Sequence, residues 1–493
     1  MAHYKTFWDL ESSQAYTTHT VERFDNNTET GGGVFRWILS NNTSVANVPG
    51  FRIKPTSTTL GYWERIVDGD TWSVDWFGCI NTSTQGTLAS YGFTSTTVNA
   101  RWNTITGSNT VTTADTYDTA AIKLAFNLME QKYMYSISFS RKSYYLTSTC
   151  FLPLRTNIST TDREYALFVI TGNAAQMEVH STVAATAFDM WSRNITTNTQ
   201  ANSEVNTAFN IDNLSFRGVS SLQKGIHLKA TYNSIVDSCN FTNLSSGLHL
   251  RFCLGTRVTN CIVQKIAAVG INVDCGDSSV YAGGWTGGSY GSSNSQSNST
   301  EVYKCRFWNG HTPAAVAVAV NGCSGIELNQ CIFEGTTGTS DRPWNYAVLF
   351  HARGSGNVKD FTVHRSHLEC KYNTSAIYLN LSGGGKATVD GIYSQYDNTL
   401  VHVDDNLTNS KVTISNIESV TSNTVFRDDR IGSGGSGESS TFWYFDRVMS
   451  IDPADSSNWF TGALPGGVVS VIQAAGSSPS NRAYIFRPFS SAS

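Results

Sequence analysis

From Gly225 onward, apolar and polar residues alternate in short runs that return at a near-fixed interval. Gly225 opens GIHLKA, Gly247 opens GLHLRF and Gly270 opens GINVDC, with starts 22 and 23 residues apart. A second register travels with the first. Cys239, Cys261, Cys305 and Cys331 are followed two residues later by Phe241, Val263, Phe307 and Phe333. Period-two alternation inside such a repeat predicts short strands wound into a solenoid. One coil cannot bury its inner face until the next stacks on it. Further coils open at Val316, Ala347, Ala376, Leu400 and Thr424. The expected fold is all-β, a right-handed single-stranded parallel β-helix over residues 134–440.

The rest of the chain reads differently. Residues 1–78 hold short β-like runs, with turn signals at Asn26, Asn27 and the triplet Gly31, Gly32, Gly33. They predict a small N-terminal β domain. Residues 79–133 read as a linker ending in a capping helix. The linker, 79–113, shows no strong periodicity, whereas Ile122, Ala125, Phe126 and Met129 put one apolar face on a helix over 116–133. Thr116 or Asp118 can cap its start. Such a helix is expected to cover the open end of the solenoid core. Residues 441–493, with FWYF and YIFRPF, read as a small C-terminal β module.

Composition narrows the function. Aromatic residues make up 12%, which argues against a disordered Ser/Thr/Asn-rich chain. The net charge is −4 with no basic run, so nucleic acid is not an expected partner. No apolar run approaches a membrane span, and MAHYKTFWDLESS lacks the apolar core of a signal peptide. Cytoplasmic assembly without membrane insertion is the expectation. The ten cysteines show no zinc-type spacing, so those at the repeating position predict a ladder of buried, unbridged thiols. No metal and no cofactor is expected.

Four motifs come in one order: GGGVFRW (31–37), GYWERI (61–66), WFG (76–78) and DTAAIKLAF (118–126). This series resembles the start of the β-helix in phage tailspikes and tail-fibre depolymerases of the pectate-lyase superfamily. The motifs cover about the first quarter of the chain, and the coils extend the likeness as pattern. Cys79 follows the third motif where the family often has Ala and then Asp-Gly, and residues 79–113 are longer than the family norm. The resemblance implies a homotrimeric virion protein. It would join a phage tail or baseplate protein through its N-terminal domain and bind, often cleave, a host cell-surface polysaccharide. It transfers no catalytic residues.

The coil register supplies the candidate chemistry, because equivalent positions in adjacent coils lie about 4.8 Å apart. Outward positions of the first strand read His227/Lys229, His249/Arg251, Asn272/Asp274, Ala319/Asn321 and Leu349/His351. Insertions at 277–300 and 335–346 border this strip, and together they predict a groove over coils 247–369. Four residues before the repeating cysteine stand Arg257, Glu301 and Glu327; three residues after it stand Trp308 and Glu334 and, by the aligned Ser366, Glu369. Carboxylates about 5 Å apart fit a retaining glycosidase, and about 6.5–9.5 Å an inverting one. Asp274, Glu301, Glu327, Glu334 and Glu369 are therefore the catalytic candidates. Any of them can equally be a solvated outer-face residue, with Arg257 as a salt-bridge partner. Trp285, Tyr290, Trp308 and Trp344 are candidate sugar platforms. Arg251, His351 and Arg353 are candidate substrate contacts, and they would also serve β-elimination beside a uronate. The expected activity is depolymerisation by hydrolysis. The alternatives are a lyase and a non-catalytic receptor-binding fibre.

Overall fold

The glycine triplet of the first motif is explained by one arginine. In the computed structural model, Arg65, from the second motif, is 4% exposed. Its Nε donates to the Gly50 carbonyl, Nη1 to Gly32 and Nη2 to Gly31, each at 2.7 Å. The guanidinium lies 4.7 Å from the Phe35 ring centroid and 4.8 Å from that of Trp76, in the third motif. A Cβ on Gly33 would strike Arg65, and one on Gly32 would strike the Glu22 carbonyl. Three motifs thus converge on a buried cation that only side-chain-free backbone can approach closely enough to satisfy.

The structure describes residues 2–13, 18–28, 30–40, 47–56, 61–153, 166–180, 186–191, 207–220, 222–274, 297–335, 344–351, 359–369, 375–381, 385–395, 399–403, 411–420, 424–428, 442–450, 460–461 and 469–471. It divides into two units, Met1–Trp191 with Phe209–Ile226, and Ser192–Ala208 with His227–Ser493.

The first unit opens with a five-stranded sheet. Ala2–Thr6 runs parallel to His19–Arg23, which pairs antiparallel with Gly31–Ile38. That strand pairs antiparallel with Tyr62–Arg65, and Arg52–Ile53 closes the sheet. Parallel pairing begins early, at Thr71–Ser73 against Ser136–Ser138, inside the segment assigned from sequence to the N-terminal domain. The helix Tyr117–Glu130 is capped by Thr116, whose side chain accepts from the Thr119 N–H. All 14 of its residues are buried, so it is not a one-faced cap. Residues 79–115, expected to be a linker, contain a second helix, Ser95–Trp102, and supply partners for the polar face. Lys123 pairs with Asp115 at 2.9 Å, and the Asn109 side-chain amide donates to Asn127 at 3.0 Å. Asp118 accepts the backbone N–H groups of Ile80, Asn81 and Tyr145. Burial pushes its pKa up to about 7, against the pull of those donors.

The second unit is a parallel β-helix. Ser246–Arg251, Val269–Asp274, Val316–Asn321, Tyr346–His351 and Ile377–Asn380 pair in order in one ladder. Arg257–Thr259, Asn298–Tyr303, Ser324–Asn329 and Lys359–His364 make a second. Ile262–Ile266, Arg306–Gly310, Ile332–Glu334, His367–Glu369 and Tyr393–Gln395 make a third. The second and third meet at a one-residue corner with left-handed backbone: Asn260, Lys304, Gln330 and Arg365 have φ of 53°, 53°, 55° and 50°. The repeating cysteine follows this corner. Cys239, Cys261, Cys305 and Cys331 are all fully buried and unbridged. The thiols of the last three donate to the carbonyls of Val236, Val258 and Val302 in the preceding coil, at 3.4–3.7 Å. A small thiol fits this slot because it fills space and caps a carbonyl at once.

One boundary differs from the sequence reading. FWYF belongs to the strand Phe442–Ser450, which pairs in parallel with Lys411–Val420 and so continues the coils past 440. Aromatic density reads as a separate module only until strand pairing is known. YIFRPF lies outside the described residues.

Candidate functional site

Strand register brings the predicted columns together, and burial then separates them. The first ladder aligns Arg251, Asp274, Asn321 and His351 as neighbours. This strip was expected to be solvent-facing, yet Lys229, Arg251 and Asp274 are each 4% exposed. Arg251 Nε and Nη2 donate to the two Asp274 oxygens, both at 3.0 Å. His249 Nε2 stands 2.8 Å from Asp274 Oδ2, and its ring stacks on His227 at 4.4 Å. Burial alone would raise the Asp274 pKa; the hydrogen bonds and charges of His249 and Arg251 outweigh it and hold the carboxyl below its ordinary value. An ionised, doubly clamped carboxylate has no proton to give, and Arg251 is committed to it. Alternation assigns a side chain to a face but does not say what packs over that face.

One further expectation changes beside the insertions. Trp344 is fully buried, so it belongs to the core and offers no ring to a sugar. His351 is half-buried, with its ring 6.1 Å from that of Tyr378. Trp285, Tyr290 and Arg353 lie outside the described residues.

The second ladder carries Arg257, Glu301, Glu327 and Thr362 as successive partners, so both glutamates do share a column. Each is already engaged. Arg257 Nε lies 2.9 Å from Glu301 Oε2, and His364 Nε2 lies 2.6 Å from Glu327 Oε1.

The third ladder is also exposed, and it is less engaged than the second. Gln264, Trp308, Glu334, Glu369 and Gln395 are successive partners. These strands are three to five residues long, and the residue between the two outward positions points inward. Phe307 and Phe333 stack inside at 4.7 Å, which fixes the outward pair on either side of each. Trp308 is 37% exposed. Glu369 Oε2 lies 3.2 Å from His367 Nε2, with its side chain 43% exposed. Among the described residues the Glu334 side chain has no hydrogen-bond or ion-pair partner. The neighbouring outward column is Ile262, Arg306, Ile332, His367 and Tyr393. Arg306 stands 5.5 Å from the Trp308 ring centroid, and the His367 and Tyr393 rings are 4.9 Å apart. Arg306, His367 and Tyr393 were not singled out from sequence. The signal was present, since Arg306 and His367 directly follow Cys305 and Ser366 in the same alignment.

The arrangement offers two carboxyls one strand spacing apart, about 4.8 Å at the backbone, beside an open indole. Two carboxyls at such a separation can act on one acetal carbon.

No protein-family profile and no curated protein matches the chain. Solved structures do. The tailspike protein of Acinetobacter phage vB_ApiP_P1 aligns with a TM-score of 0.50 at 12% identity, over 100% of this chain and 75% of that one. The tailspike of Acinetobacter baumannii phage AM24 gives 0.41 at 14% identity, over 95% of this chain and 64% of that one. The enzymatically active domain of tailspike protein 2 of bacteriophage CBA120 gives 0.49 at 11% identity, over 95% and 56%. Among the described residues no helix is long and apolar enough to cross a membrane. The first of these alignments spans the whole chain, and the likeness it establishes is one of fold: a parallel β-helix of the phage tailspike kind.

Proposed function

We infer that this chain is a phage tailspike that binds and depolymerises a host surface polysaccharide, whether capsule, O-antigen or exopolysaccharide, by glycoside hydrolysis. The observation that supports this most is the Glu334–Glu369 pair, in adjacent coils beside the exposed Trp308. In this reading a sugar ring stacks on Trp308. Glu334 protonates the leaving oxygen. Glu369, oriented by His367, attacks the anomeric carbon, and water later releases the glycosyl-enzyme. The close spacing favours this retaining course over an inverting one, which needs room for a water between the carboxyls. The chain would act as a homotrimer in the virion, joined to a phage tail or baseplate protein through its N-terminal sheet.

The test is Glu334→Gln and Glu369→Gln on purified host polysaccharide. Each should lower the rate by about 10²–10⁴-fold with the fold intact. Glu301→Gln and Glu327→Gln should stay near wild type. New reducing ends without the ultraviolet absorbance of an unsaturated uronate mean hydrolysis. Absorbance with them means a lyase, and binding without either means a receptor-binding fibre.

A further inference from the structure

The carboxyl pair sits among cations that no carboxylate answers. On the described residues Arg36, Arg52, Arg101, Lys123, Arg217, Arg251 and Arg257 each pair with an Asp or Glu. Lys5, Arg23, Arg141, Lys142, Lys224, Lys386 and Lys411 do not, and neither do the exposed Lys304, Arg306 and Arg365, which differ from the others in their place in the fold. Those last three lie on the strand that carries Trp308, or at the corners that lead into the strands of Trp308 and Glu369. Lys304 and Arg365 occupy the left-handed corner, two coils apart, with Gln330 between them. Arg306 faces Ile262 on one side and Ile332 on the other in its column. That register puts no carboxylate directly opposite it, and its guanidinium rests by an aromatic ring. The same coil holds a second such pair, since Lys304 Nζ lies 4.9 Å from the Tyr303 ring centroid.

A guanidinium resting on an indole is pre-aimed, since its planar fork meets carboxylate geometry with two parallel N–H donors. An aromatic face with a cation beside it is therefore a receptor for a sugar ring that carries an acid. We propose that the polymer held on this strip is an acidic polysaccharide. Its carboxylate-bearing sugar stacks on Trp308 with the carboxylate on Arg306. Lys304 and Arg365 supply further positive charge along the corner. The scissile bond lies one coil further on, between Glu334 and Glu369. This rests on the hydrolase reading above and adds the charge of the substrate to it.

The experiment uses the full chain on an acidic capsular polysaccharide that it cleaves, in native form and after chemical reduction of the carboxylates to alcohols. Wild type should show a KM at least about tenfold higher on the reduced polymer, the value of one charge-assisted hydrogen bond. Arg306→Gln should raise KM on the native polymer by about tenfold with kcat little changed. On the reduced polymer it should match wild type. Added salt should raise KM for wild type more than for Arg306→Gln. Arg257→Gln, on the second ladder, should leave KM unchanged. Equal cleavage of native and reduced polymer, or cleavage of a neutral polysaccharide only, overturns the proposal while leaving hydrolysis standing if Glu334→Gln is inactive. Full activity of both Glu334→Gln and Glu369→Gln overturns the hydrolase reading instead. Absence of cleavage across a panel of acidic and neutral polysaccharides overturns both.

Discussion

Asp274 is the candidate whose role the structure changes most, and its replacement by Asn separates the two readings. In the folded chain its carboxylate is bidentate to Arg251 at 3.0 Å and also meets His249 at 2.8 Å. Arg251 and Asp274 are both 4% exposed, so the Arg251 cation has little water to fall back on. Asp274→Asn keeps the shape but removes the charge that answers a buried guanidinium. Breaking one partner of such a pair costs about 3–5 kcal/mol. The expected result is a clear drop in the urea midpoint, followed by tryptophan fluorescence and circular dichroism. Whatever folds should retain normal activity per molecule. Replacing both partners by apolar residues, Arg251→Met with Asp274→Leu, should recover much of the loss. The pH dependence has a definite sign. The Asp274 pKa is depressed in the folded state, so its contribution is present above its unfolded value of about 3.9. It is lost as pH falls through the folded value. The gap between wild type and Asp274→Asn should therefore be steady near neutrality and close in acid. An unchanged midpoint with lost depolymerisation would refute this account and return Asp274 to the catalytic set.

Other outcomes follow from the same geometry. Arg65→Met should destabilise the first unit by about 3 kcal/mol or more, since three buried carbonyls lose their donor; Gly32→Ala should do likewise through collision with the Glu22 carbonyl, both read as a lower thermal midpoint. Burial pushes the thiols of Cys331 and Cys150 up to about 12 and that of Cys253 to about 11, so a thiol reagent at neutral pH should label them only after denaturant is added. Trp308→Ala should weaken polysaccharide binding without moving the thermal midpoint, and Trp344→Ala should cost about 3–5 kcal/mol of stability, read as a lower midpoint, because that ring is fully buried.

Register is what the sequence by itself determined. The placing of Glu301 beside Glu327, and of Glu334 beside Glu369, was countable from the cysteine spacing, because a solenoid converts distance along the chain into distance in space. The ladder of buried thiols and the Thr116 cap were legible for the same local reason: period two and capping chemistry act over a few residues. What covers a face is a different matter, and only tertiary structure decided it. Alternation put Asp274, Arg251 and the polar side of Tyr117–Glu130 outward, whereas all are buried. Residues 79–115 supply the second helix Ser95–Trp102 and partners for that helix's polar side, although they show no periodicity of their own. The choice among the carboxylates was likewise tertiary, since Glu301 and Glu327 differ from Glu334 only in partners that side-chain reach provides. Backbone repetition is written into sequence because it recurs locally. Burial and side-chain pairing depend on segments far apart in the chain, and no local pattern carries them.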